Sequence, residues 1–147
     1  MKKYLSALIM CVLSLILVGC GKKQTLDCTI DLSGQMYGAG TMEANAKFHF
    51  EGNSFEKADI KYDVKVTSSR FTDSDMQTLK SNFDEICDSK DLSGIKLSTC
   101  TTKLDGKNIT LNATIVKKDI ENQADTYGSV SATKRDLEKQ GYTCKIK

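Results

Sequence analysis

Four cysteines in the body of the chain are the residues whose chemistry the sequence defines best. Cys28, Cys87, Cys100 and Cys144 form an even-numbered set. In an exported chain such a set indicates two disulfides, for which three pairings exist. The rival interpretation is a zinc site or a redox dithiol, but the sequence contains neither a Cys-x-x-Cys nor a His-x-x-x-His spacing. We therefore predict structural disulfides, no metal site and no cofactor.

The single histidine, His49, is the other residue type that commonly performs catalysis. It falls on the polar side of a predicted strand, between Phe48 and Phe50. A Ser-His-Asp arrangement needs a buried and oriented imidazole, which an exposed position in mid-strand rarely provides. The glycines between residues 33 and 40 lack the strand–loop–helix order of a phosphate-binding loop. We find no catalytic constellation and predict that the protein is not an enzyme.

The N-terminus has the pattern of a secretory signal. Lys2 and Lys3 precede an uncharged apolar run, Leu5–Val18. This run has the length of a signal h-region, about 7–15 residues, and is shorter than the roughly 20 that a membrane-spanning helix needs. Its end, Leu17-Val18-Gly19-Cys20, resembles the lipobox of bacterial lipoproteins, in which the peptide is cut before a cysteine that carries lipid.

We therefore predict a signal peptide over residues 1–19, a lipidated Cys20 with a short tether over 20–24, and one extracytoplasmic domain over 25–147. Two acyl chains make a stable anchor at about 0.8 kcal/mol per buried CH₂ group. The expected location is the outer face of the bacterial cell membrane, with the lipid bilayer as a partner. The alternatives are an uncleaved N-terminal membrane anchor and ordinary secretion with Cys20 as a free thiol.

The charge of the mature chain is balanced. Without Lys2 and Lys3 the 21 Lys and Arg residues fall to 19, which equals the 19 Asp and Glu residues. A neutral chain with interleaved charges has no basic stripe for nucleic acid, so we expect no nucleic-acid partner. The oligomeric state is not determined by this pattern.

Hydrophobic periodicity predicts an α+β fold in the order β-β-β-α-β-β-α-β, with an antiparallel sheet of about five to six strands and two helices packed on one face. The predicted strands are Thr25–Leu32, Thr41–Glu51, Ser54–Ser68, Ile95–Leu104, Asn108–Val116 and Tyr142–Ile146. The first helix begins at Thr72 or Asp73 and ends near Asp88. The second begins with Thr133 as its cap and stops at Gly141.

This order favours one disulfide pairing and suggests one place for a ligand. Cys28 lies in the first strand and Cys144 in the last, whereas Cys87 ends a helix and Cys100 lies on the next strand, so we favour the pairs 28–144 and 87–100. A pocket between helix and sheet, or simply the packed core, would be lined by Phe48, Ile60, Met76, Leu79 and Phe83.

The chain also resembles the YehR-like family of small bacterial lipoproteins. The resemblance depends on the lipobox at Cys20, the two-helix α+β order and the segment Thr133–Cys144. It implies a cellular location and a fold but no mechanism, because no activity is established for that family.

The function expected from these features is that of a noncatalytic surface lipoprotein that binds a partner protein, a wall polymer or a small ligand at the cell envelope. The alternative is a cell-envelope enzyme, hydrolase-like, whose unrecognised site uses only Asp, Ser and Lys. A third option is a structural spacer or surface antigen.

Overall fold

The computed structural model describes residues 21–92, 94–120 and 129–147. The predicted signal peptide and the predicted lipid site, Cys20, lie outside the described residues. Within the described ranges, no helix is both long and apolar enough to cross a membrane.

The described chain forms an antiparallel sheet with helices on one face, which confirms the predicted α+β class. The strands are β1 (Lys23–Asp31), β2 (Gly40–Glu51), β3 (Ser54–Val66), β4 (Asp91–Leu92), β5 (Ile95–Lys96), β6 (Thr99–Asp105), β7 (Asn108–Val116) and β8 (Thr143–Ile146). The helices are α1 (Asp73–Ser89), the single turn α2 (Lys117–Ile120) and α3 (Val130–Lys139), with a 3₁₀ helix at Ser33–Met36.

Six strands make the main sheet in the order β6-β7-β3-β2-β1-β8, and β4 pairs with β5 in a separate small sheet. The alternation of apolar and polar residues along the strands produces the two-layer structure. Along β2, every second side chain from Met42 to Phe50 is buried, and the buried side chains of β3 and β7 continue the same face. Helix α1 packs against β6, and α3 packs against β8 and β1. The core is therefore the layer between the sheet and its helices.

The other sheet face is polar and consists of side chains in cross-strand rows. One such row is Asp27, Lys47, Asp59 and Thr114, which stand opposite one another on β1, β2, β3 and β7. In this row Lys47 is exposed and Asp27, Asp59 and Thr114 are half-buried. Because the strands are amphipathic, these polar side chains lie on the face that points away from the core.

The cysteines pair as the element order favours. Cys28 and Cys144 lie directly opposite each other on β1 and β8, with their Cα atoms 4.1 Å apart. Cys87, near the end of α1, bonds to Cys100 on β6. One bridge therefore joins the first strand of the domain to its last strand, and the other fixes α1 to the sheet.

Helix α1 begins where the sequence predicts. The Thr72 hydroxyl accepts a hydrogen bond from the Asp75 N–H, and the Asp75 carboxylate accepts one from the Thr72 N–H, a reciprocal capping box. These bonds hold the pKa of Asp75 below its usual range, the backbone bond from Thr72 being the main cause.

Two boundaries differ from the prediction by more than two residues. The predicted strand Ile95–Leu104 is wrong, because the structure divides it into β5 and β6. Ile95 and Leu97 are buried, but the inward side chains of β6 are at even-numbered positions such as Cys100, so the alternation changes phase between them.

The start of α3 is also displaced. Its N-cap is Ser129, whose hydroxyl accepts the Ala132 N–H, and not Thr133, which is buried inside the helix. The predicted stop at Gly141 is confirmed. Gly141 has a φ of +97°, and its N–H donates to the Glu138 carbonyl at the helix end.

Candidate functional site

An open cleft lies at one end of the sheet, where the 3₁₀ helix, the ends of β2 and β3 and the first turns of α1 meet. Its volume is about 590 Å³, which falls within the range of small-ligand and side-chain pockets. We call it the Tyr37 cleft. It is lined by Gln35, Met36, Tyr37, Gly38, Ala39, Met42, Val64, Ser68, Arg70, Phe71 and Leu79.

Local hydrogen bonds fix the wall that precedes β2. The Asp31 carboxylate accepts the Ser33 N–H at 2.8 Å, and the Ser33 hydroxyl accepts the Met42 N–H at 3.1 Å. The side-chain and backbone hydrogen bonds from Ser33 lower the pKa of Asp31 from its ordinary value. These hydrogen bonds connect the segment between β1 and β2 to both strands and fix its conformation.

Tyr37 is the most exposed large apolar side chain of the described residues. It is 96 % exposed and has a φ of +47°. For a residue other than glycine, this left-handed conformation costs roughly 1–2 kcal/mol. An aromatic ring held in solvent by an unfavourable backbone conformation gains no stability from packing. Such residues are concentrated at binding sites.

The lining of the cleft also includes a cation and a second aromatic ring. Arg70 is exposed, and no carboxylate in the described ranges lies within ion-pair distance of it. Phe71 is half-buried and packs against the core. The Gln35 Oε1 atom is buried without a hydrogen-bond partner among the described residues and is not open to solvent. The cleft therefore combines apolar walls with an unpaired cation.

The five residues predicted to line a pocket between helix and sheet are not together at a cleft. Phe48, Ile60, Met76 and Phe83 are buried in the core. Only Leu79, which is half-buried on α1, lines the Tyr37 cleft. The space between α1 and the middle of the sheet is filled by these side chains, and the opening is at the end of that layer.

The polar sheet face contains the histidine and its partner. The His49 Nε2 atom lies 3.0 Å from Asp59 Oδ2, and Lys57 Nζ is 3.0 Å from the same oxygen. Thr114 donates its hydroxyl hydrogen to Asp59 Oδ1 at 3.1 Å. Partial burial raises the pKa of Asp59, but the hydrogen bonds from Lys57, His49 and Thr114 outweigh it and leave this pKa lowered. The hydroxyl contacts the carboxylate and not the imidazole, so the order of a nucleophile–base–acid triad is not formed here.

The remaining carboxylate with a lowered pKa stabilises the fold. Asp84 on α1 accepts hydrogen bonds from Lys80, one turn before it, and from Thr102 on β6, and these bonds lower its pKa. In the ranges that the structure describes, no three metal-ligating side chains cluster.

Comparison with known proteins gives no relative for this chain: no protein-family model, no curated protein and no solved structure matches it. The resemblance to the YehR-like family stays a prediction.

Sequence reasoning missed Tyr37 and Arg70 as lining residues. The signal for Tyr37 was its position in the glycine-containing segment 33–40, which has no periodic apolar pattern. No local pattern brings Arg70 to the same cleft as Tyr37, since that follows from the pairing of β2 with β3.

Proposed function

We propose that this protein is a lipid-anchored, extracytoplasmic binding protein that captures a partner of the cell envelope in the Tyr37 cleft and performs no catalysis. The Tyr37 cleft is the observation on which the binding role depends. Aromatic and arginine side chains dominate the energetics of protein interfaces, and Tyr37 and Arg70 are both exposed residues of its lining.

The lining also indicates which kind of partner fits. Its walls are mainly apolar, and no carboxylate is among the residues that line it. A protein segment that places an apolar side chain in the cleft and a carboxylate beside Arg70 would match both features. An acid–base reaction would need a titratable group in the cleft near neutral pH, and the lining residues supply none.

The extracytoplasmic location is supported by the two disulfides, since such bonds persist in oxidising compartments. It is supported as well by the lipobox-like sequence that ends at Cys20. Metabolic labelling with palmitate tests the anchor: the wild-type chain should incorporate label, and a Cys20→Ser variant should not. Full membrane partitioning of that variant would contradict lipid anchoring.

Site-specific photo-crosslinking in intact cells tests the binding role. A photoreactive phenylalanine analogue replaces Tyr37, and the same analogue at Lys103, an exposed position on β6, serves as the control. We expect a discrete crosslinked product at position 37 that is missing at position 103 and that Arg70→Gln diminishes. Identical products from both positions, or a product that Arg70→Gln leaves unchanged, would refute capture by this cleft.

A further inference from the structure

We propose that the domain stands end-on on the bilayer, with the β2–β3 turn and the lysines around it in contact with anionic lipid headgroups, so that the Tyr37 cleft points away from the membrane. This inference rests on the proposed lipid attachment at Cys20. It adds an orientation and a lipid-contacting surface to that function.

The first argument is the fixed position of the chain just after the lipid site. The Gly52 N–H in the β2–β3 turn donates to the Lys22 carbonyl at 3.1 Å, and β1 begins at Lys23, paired with Glu51. Two residues of extended chain span at most about 7 Å. The acyl chains on Cys20 would therefore enter the bilayer beside this turn, because no flexible linker separates them from the sheet.

The second argument is the charge of this end of the sheet, which we call the anchor end. Lys22, Lys23 and Lys118 are exposed there, and none of them has an ion-pair partner within the described ranges. Each lysine close to an anionic bilayer strengthens binding by about fivefold. Three unpaired cations beside the attachment point would hold this end against the lipid phosphates.

The carboxylates of the anchor end offset part of this charge. Glu51 stands opposite Lys23 in the strand register, and neither Glu51 nor Asp119, which follows Lys118, has an ion pair within the described ranges. Glu56 is already within 3.8 Å of Lys117 Nζ, which also donates to the Ser54 hydroxyl. The free lysines are thus left to contact headgroups.

The third argument comes from the opposite end of the sheet. Asp31, Glu43 and Asp63 stand in register on β1, β2 and β3 and form a row of three carboxylates on the polar face. Asp63 is already paired with Lys61 at 2.8 Å, and the exposed cations Lys65 and Arg70 lie at the same end, so this row repels anionic lipid only in part. The Tyr37 cleft belongs to the carboxylate end, because Ala39 in its lining directly precedes β2. Strand β2 then separates the cleft from the turn by roughly 35 Å, at about 3.3 Å per residue.

Depth-dependent fluorescence quenching tests this orientation with the complete lipidated protein. Cys28, Cys87, Cys100 and Cys144 are bonded in pairs, so a single introduced cysteine becomes the only free thiol once Cys20 carries lipid. A fluorophore is attached in one variant at Asn53→Cys, in the β2–β3 turn, and in another at Gly34→Cys, in the 3₁₀ helix. A third label at Glu56→Cys provides a second anchor-end position if the turn variant does not fold.

The proteins are placed in vesicles of phosphatidylglycerol and phosphatidylcholine that contain headgroup-labelled nitroxide lipid. Mass spectrometry first establishes that Cys20 is acylated, so a failure of the proposed anchor is separated from a failure of the orientation. We expect quenching at position 53 or 56 to exceed quenching at position 34 by at least threefold. Equal quenching at the two ends, or stronger quenching at position 34, would overturn the proposal.

A charge-matched pair of variants tests the role of the lysines. Lys22→Gln with Lys23→Gln removes two cations from the anchor end, and Lys65→Gln with Lys103→Gln removes two exposed cations from the opposite end of the sheet. The first pair should reduce anchor-end quenching in anionic vesicles several-fold and the second should leave it unchanged. An equal effect of both pairs would refute a specific contact between the anchor-end lysines and lipid.

Discussion

The two disulfides should contribute unequally to stability, and the structure gives the size of the difference. Their sequence separations are 116 residues for Cys28–Cys144 and 13 residues for Cys87–Cys100. In the loop-entropy model these separations correspond to about 4.8 and about 2.9 kcal/mol, a difference of about 2 kcal/mol. The long bridge should therefore dominate, since a whole domain is commonly stable by only about 5–15 kcal/mol.

Two variants isolate the bridges without altering the side chains under test. Cys87→Ala with Cys100→Ala leaves only the long bridge, and Cys28→Ala with Cys144→Ala leaves only the short one. Each is prepared as a soluble chain from residue 21 and unfolded in urea with and without dithiothreitol. The effect of the reductant within one variant then reports on one bond.

We expect the reductant to lower the free energy of unfolding about 2 kcal/mol more in the variant that retains the long bridge. If reduction unfolds the variant with the long bridge completely and leaves the other variant folded, the long bridge is again the more stabilising of the two. Equal effects, or a larger effect in the variant with the short bridge, would refute the loop-entropy argument for this fold.

Three further predictions concern single side chains. Gly40→Ala should destabilise the domain by about 1–3 kcal/mol in urea unfolding, because its Cβ would lie 2.1 Å from a β3 carbonyl oxygen, whereas Gly34→Ala meets no atom within 4 Å and should be neutral. Tyr62→Phe should raise the free energy of unfolding by about 1 kcal/mol, since the buried hydroxyl has no partner among the described residues; a loss would show that a partner exists. The lowered pKa of Asp59 means that its stabilising contribution is present above the unfolded-state pKa and is lost as the pH falls through the folded one. Thr114→Val should bring this pKa, measured by NMR titration, closer to the ordinary value, and an unchanged pKa would contradict the contribution of that hydrogen bond.

Much of the fold was predictable because its determinants are local. Alternation defines the two faces of β2 and β3, and the capping box at Thr72 defines the start of α1. The favoured disulfide pairing followed from the element order, since cysteines in the first and last strands can meet only if those strands are neighbours. The first two inferences required no knowledge of packing between distant segments, whereas the third depended on the first and last strands being neighbours.

The errors arose where two local signals competed. Both Ser129 and Thr133 are good cap residues, and the burial of Val130 and Thr133 against the core selects the earlier one. The inward-facing positions change from odd to even residue numbers between β5 and β6. The run of strand-forming residues across this point nevertheless suggested a single strand. Tertiary packing decided both cases.

The candidate site was least predictable. The apolar side chains of α1 that were expected to line a pocket pack in the core instead. Large side chains such as Phe48 and Phe83 fill the space between the helix and the sheet. The Tyr37 cleft instead forms at an end of the layer, where a loop, two strand ends and a helix start converge. No periodic pattern encodes such a convergence.

The position of β1 has a mechanical consequence. Lys22 and Tyr37 lie at opposite ends of the segment formed by β1 and the 3₁₀ helix. If Cys20 carries lipid and a partner is held at Tyr37, as proposed, part of any load between them passes along the extended backbone of β1. Because β1 lies between β2 and β8, such a load acts on its inter-strand hydrogen bonds in shear rather than one bond at a time.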